Sequence, residues 1–226
     1  NYLINEDLEN AVNFPLQDSS DLKGISSFLD LADNLGIIHR NISEGPIRSV
    51  EINCYGTLDQ IKPISLSFLR SLLQNRVPER VNFINAETIA KELGIELSIH
   101  YSTSDSNYSN LISARVVAKN DIIFEGSVFN DDLPRLVNLM GYKMEVNLKG
   151  TLLFIQNDDV PGVVGKVGTI LGKNKINIGA YLLSQHSREK LAFAVIRLDS
   201  PIDEELISEL VDLEELKFVN QIQINS

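Results

Sequence analysis

From Leu22 onward, apolar residues recur every three or four positions: Leu22, Ile25, Leu29 and Ala32 share one helical face. Ser19, Ser20 and Asp21 offer caps and Gly36 offers a stop, which predicts a helix over about 20–35. Ahead of it, Asn10-Ala11-Val12-Asn13-Phe14-Pro15 reads as a short strand ended by proline. The period changes to two at 48–55, where Val50, Ile52 and Cys54 alternate with Ser49, Glu51 and Asn53 as in a half-buried strand. Helical spacing returns over Ser65–Gln74 and again from Asn85 to Leu93, the latter with Asn85 as cap and Gly94 as stop. Residues 95–149 are expected to form a β meander, with strands at Glu96–Tyr101, Leu111–Lys119, Ile122–Phe129 and Arg135–Val146. Gly126 and Gly141 interrupt those patterns and mark bulges or close approaches.

The rhythm shifts at 150. Leu152–Ile155 is a buried run. Pro161 stands where a helix should begin, with Val163, Val164, Val167, Ile170 and Leu171 on its apolar face. Ile176–Leu183 and Ala192–Leu198 read as strands, and Asp203–Leu213 as a helix with Leu206, Ile207, Leu210 and Val211 inward. A last strand runs over Val219–Ile224, giving the order βαββαβ of the ferredoxin-like plan. The fold class expected is therefore α+β.

Composition narrows the function. A chain of 226 residues that is 43% hydrophobic can bury one or two real cores. A formal net charge of −11 argues against nucleic acid as partner, since phosphate binding requires a Lys/Arg surplus. No run reaches the roughly 18 apolar residues of a membrane span. Cys54 stands alone and cannot form an internal disulfide, so a cytoplasmic location is expected. Three scattered histidines, His39, His100 and His186, support no metal site. Nor is there a Gly-x-Gly-x-x-Gly after a strand, so no dinucleotide cofactor is expected on this chain.

Chemistry concentrates at the strand-to-helix junction Asn157-Asp158-Asp159-Val160-Pro161-Gly162-Val163-Val164-Gly165. Free amides at a helix N-terminus attract a carboxylate, Asp159 beside them can take an ammonium group, and Asn177 can accept from one or donate to the other. Together they suit an α-amino acid zwitterion. The same residues also read as an ordinary helix start, a cap and a turn residue. Arg135, Lys143 and Lys149 form a second, basic set, either an anion site or solvated charges on a strand face. Cys54 reads as a small core residue, and Asp203-Glu204-Glu205 as a helix N-terminal turn. The polar loop Ser102–Ser109 holds only one carboxylate, Asp105, too few for calcium.

The runs Asn157-x-Asp159-x-Pro161-Gly162-Val163-x-Gly165, Val167-Gly168-x-x-Leu171 and Ile176-Asn177-Ile178 resemble the ACT domain of D-3-phosphoglycerate dehydrogenases. Upstream, Leu31-Ala32-x-x-Leu35-Gly36, Val81-Asn82-x-Ile84-Asn85-Ala86, Ala90-Lys91-Glu92-x-Gly94-Ile95 and Pro134-Arg135-Leu136-Val137 with Gly141 resemble the intervening, or allosteric substrate binding, domain of their longer form. Asn10–Pro15 resembles the link from the catalytic part. The resemblance implies a link at 1–15, an α/β-sandwich-type intervening domain at 16–149 and an ACT domain at 150–226. It further implies a regulatory fragment with no catalytic residue, NAD being needed only by the absent catalytic part. L-Serine would bind between ACT domains of a homodimer or tetramer, with Asn157, Asp159, Pro161, Gly162 and Asn177 as its site. A phosphate-bearing ligand would lie among Arg135, Lys143 and Lys149. Two other readings remain: the regulatory region of an iron–sulfur L-serine dehydratase, whose cluster needs more cysteines than this chain has, and a stand-alone amino-acid sensor.

Overall fold

The computed structural model describes residues 19–56, 58, 61–103, 108–129, 132–186 and 189–224, and the side chains from 25 onward. The Asn10–Pro15 link, the side chains of the caps Ser19 to Asp21, and Asp105 lie outside that description. Two compact units divide between Arg135 and Leu136, inside a strand and ahead of the change of rhythm at 150.

In the first unit, helix α1 (Ser19–Ile42) runs straight through Gly36. The glycine is an approach point, not a stop. A Cβ there would lie 2.5 Å from the Phe68 carbonyl oxygen and 3.0 Å from Ser71 Cβ, so its absence lets α1 close on helix α2 (Ile61–Leu73). Ser67 Oγ donates to the Leu29 carbonyl at 2.9 Å, and Arg70 Nη2 to Asp33 Oδ1 at 2.6 Å. What ends α1 is Arg76, whose guanidinium donates to the carbonyls of Arg40 (3.3 Å), Ser43 (2.6 Å) and Gly45 (3.1 Å). Helix α3 (Ala86–Glu92) closes at Gly94, φ +72°, as expected. Its N-terminus is fastened by Asn82 instead of Asn85: Asn82 Oδ1 accepts from the amides of Ile84 and Asn85.

Strand β1 (Ser49–Gly56) buries Val50, Ile52 and Cys54, the face expected. Strands β2 (Glu96–Ser102), β3 (Asn110–Val117) and β4 (Asp121–Val128) follow, but not as a meander. The order is β2-β1-β3-β4, with β2 parallel to β1 and β3 antiparallel to it. The two helices between β1 and β2 form a crossover, which parallel strands require. Gly126 is the close approach expected: a Cβ would sit 2.5 Å from Leu31 Cδ1.

The second unit opens within strand β5 (Pro134–Leu139), which turns into β6 (Tyr142–Asn147) at Met140 and Gly141, φ +50° and +92°. The single strand expected over Arg135–Val146 is thus a hairpin, because two left-handed residues in succession reverse the chain. The Tyr142 ring packs on Phe193 and His186, with centroids 5.5 and 5.3 Å away. There follow β7 (Gly150–Asp158), α4 (Val163–Lys173), β8 (Ile178–Gln185), β9 (Leu191–Leu198), α5 (Glu204–Val211) and β10 (Leu216–Ile224). Their sheet order is β10-β7-β9-β8, every neighbour antiparallel. Leu153, Ile155, Ala194 and Ile196 meet Val163, Val167, Leu171, Leu206 and Leu210 in one core. Val164 (46% exposed) and Val211 (53%) face outward, a turn away from the buried stripe expected to include them. Asp203 caps α5 by accepting from the Leu206 amide at 2.9 Å.

Candidate functional site

The junction after β7 takes its shape from glycine. Gly162 is the N-cap of α4 with φ +99°, a conformation that L side chains rarely hold, and as a glycine it offers no side-chain cap. Pro161 therefore precedes the cap and is not the first helical residue. The first helical bond runs from the Lys166 amide to the Gly162 carbonyl, 2.9 Å. The amides of the turn before it have no intrahelical acceptor, and the α4 first turn holds no acidic residue, so the dipole there is open to an anion.

Two aspartates stand beside this turn and differ in their partners. Asp158 pairs with Lys217 Nζ at 2.9 Å. Asp159 instead receives Gln185 Nε2 on both oxygens, 3.1 and 2.8 Å, and its backbone amide donates to the Lys190 carbonyl at 2.9 Å. Among the described residues the side-chain partner of Asp159 is a neutral amide, which adds no positive charge. Asn157, expected as a ligand, is 4% exposed; Nδ2 donates to the Asp158 carbonyl at 2.7 Å, and Oδ1 is buried without a partner among the described residues.

Asn177 lies just before β8. Its Nδ2 donates to Asp199 Oδ2 at 2.6 Å, and its carbonyl accepts from the Asp199 amide at 3.2 Å. Gln185, the partner of Asp159, closes the other end of the same strand. Asp159 and Asn177 are thus separated by the length of β8, about 23 Å at 3.3 Å per residue. The structure brings Asp159 and the α4 amides together, and sets Asn177 apart from both. Gln185 and Asp199 were not legible as site residues. Each sits beside its partner only through strand pairing, Gln185 opposite Ala192 and Leu198 opposite Ile178.

The basic set is dispersed along the chain. Arg135 lies on β5 with its guanidinium 4.5 Å above the Phe129 ring. Lys143 is exposed near the start of β6, and Lys149 is exposed beyond its end. Cys54 is fully buried on β1 and burial pushes its thiol up to about 12, which leaves it protonated and unreactive. Among the described residues no cluster of three His, Cys, Asp or Glu could hold a metal, and no helix is long and apolar enough to cross a membrane.

Comparison with known proteins agrees with the resemblance. A model of the family described as the D-3-phosphoglycerate dehydrogenase intervening domain matches residues 24–140. The D-3-phosphoglycerate dehydrogenase of Bacillus subtilis is 28% identical over 217 residues, 95% of this chain and 41% of that protein. That of Methanocaldococcus jannaschii is 29% identical over 221 residues, 96% and 41% of the two, and that of Archaeoglobus fulgidus 26% over 212 residues, 92% and 40%. The chain spans about two fifths of the length of these curated relatives.

Proposed function

The chain belongs to the D-3-phosphoglycerate dehydrogenase intervening domain family, and from that premise we propose that it is a regulatory region of such a dehydrogenase, with a βαββαβ ACT unit that binds L-serine for feedback control of serine biosynthesis. Under this reading NAD and the oxidation of phosphoglycerate belong to a catalytic part outside these residues.

The observation that carries the reading is that Asp159 meets the Gln185 end of β8, whereas Asn177 lies just before the other end of that strand. Among the described residues this strand ends the sheet order, so one of its edges pairs with no strand of the sheet. A second copy pairing antiparallel along that edge about a two-fold axis sets Asp159 and the α4 amides of one chain beside Asn177 of the other. Serine is about 5 Å long and cannot reach across the ~23 Å that separates the halves within one chain. The ligand ammonium goes to Asp159 and the carboxamide oxygen of Asn177, and the carboxylate to the α4 amides. Serine then binds one arrangement of the paired units better than another, and that difference in affinity biases the dehydrogenase.

Calorimetric titration with L-serine, against glycine and L-threonine, tests the reading. Saturable binding is expected, lost in Asp159→Ala and in Asn177→Ala. Absence of serine heat at millimolar concentration in the unsubstituted chain would overturn it.

A further inference from the structure

Each end of β8 carries a carboxylate held by a carboxamide: Asp159 with Gln185 at one end, Asp199 with Asn177 at the other. An ionised carboxylate only accepts, so both amides are fixed with nitrogen toward the acid and oxygen away from it. Asn177 is tied twice to Asp199, by its side chain at 2.6 Å and by its carbonyl at 3.2 Å. The strand bulges between Ile178 and Ala180, where Arg197 Nη2 donates to the Gly179 carbonyl at 3.3 Å. Bulges re-aim neighbouring side chains, and this one lies directly after Asn177.

Resting on the paired-β8 reading above, we propose that Asp199 is a specificity-determining residue of the effector site, selecting a ligand with an ammonium group over the 2-hydroxy or 2-oxo acid of the same carbon skeleton. It acts in two ways. It holds the Asn177 carboxamide with Oδ1 turned outward, an acceptor for N⁺–H. It also places a second negative charge, after Asp159, in the composite site. A zwitterion satisfies both acids with its ammonium and leaves its carboxylate to the α4 amides. A 2-hydroxy or 2-oxo acid brings only negative charge and has no ammonium of its own to offer the two carboxylates.

Titration of the full chain at one ionic strength with L-serine, L-glycerate and hydroxypyruvate reads the selectivity directly. The unsubstituted chain should bind serine and discriminate against the other two. Asp199→Asn, isosteric and on the surface, should weaken serine and narrow the serine-to-glycerate ratio by about tenfold, the scale of one lost charge contact. Asp199→Glu should recover most of the ratio, and the unfolding midpoint of Asp199→Asn should not move. Serine binding by Asp199→Asn with an unchanged ratio would overturn this inference alone. Failure of the unsubstituted chain to bind serine would overturn the effector reading and this inference with it.

Discussion

His39, with no exposed surface, lies between Phe68 and Phe124 at ring distances of 5.6 and 4.3 Å. Its Nε2 meets the Ala114 carbonyl at 3.1 Å, while Nδ1 is buried without a partner among the described residues. Burial, and to a lesser degree the Arg76 charge, push its pKa from 6.5 down to about 3 against the Ala114 hydrogen bond. The unfolded chain therefore takes up this proton more readily than the folded one. The stability contributed by neutral His39 is complete above pH 6.5 and drains as pH falls from there toward 3, at up to about 1.4 kcal/mol per pH unit. Urea unfolding at pH 7.5, 6.0 and 5.0 checks this. His39→Leu should flatten the slope relative to the unsubstituted chain, and equal slopes would show that this histidine carries none of it. Gly162 belongs to the same scale: its backbone freedom at φ +99° puts at the N-cap of α4 a residue with no side chain to cap the amides.

At the scale of elements, helix contact in the first unit depends on a missing methyl group. Alanine favours a helix over glycine by about 1 kcal/mol, and Gly36 lies within α1. Its site nevertheless admits no Cβ, because the nearest neighbour is the backbone oxygen of Phe68, which cannot rotate away. Gly36→Ala should therefore destabilise the chain by roughly 1–3 kcal/mol despite its better propensity, as overpacking does. A shift of the urea midpoint to lower concentration is the expected reading, and a rise would show that α1 and α2 separate at little cost. The same conflict explains why the sequence misplaced the end of α1. Glycine signals a stop when its φ is positive and a close approach when it stays helical, and the spacing of apolar residues cannot distinguish the two. Gly94 is of the first kind and Gly126, in a strand, of the second. The β5–β6 hairpin was missed for a related reason: Met140 holds φ +50° without being a usual turn residue.

Pairing of β8 edges makes a prediction for the whole molecule. Leu183 is 43% exposed on β8, where a partner strand would cover it. Sedimentation should show a self-associating chain, and Leu183→Lys should weaken association by about tenfold or more by burying a charge in the interface. Serine affinity should fall with it; a monomer that still binds serine would contradict a site built from two copies. At this scale the sequence by itself determined the α+β class, nearly every strand and the βαββαβ order, because alternation, helical spacing and turn chemistry are local and act within a few residues. Which strands are neighbours was decided only in three dimensions. The crossover that sets β2 parallel to β1, and the β9 pairing that brings Gln185 toward Asp159 and Asp199 toward Asn177, join residues far apart in the chain. Such contacts depend on how whole elements bury their apolar faces together, and no short window of sequence records that choice.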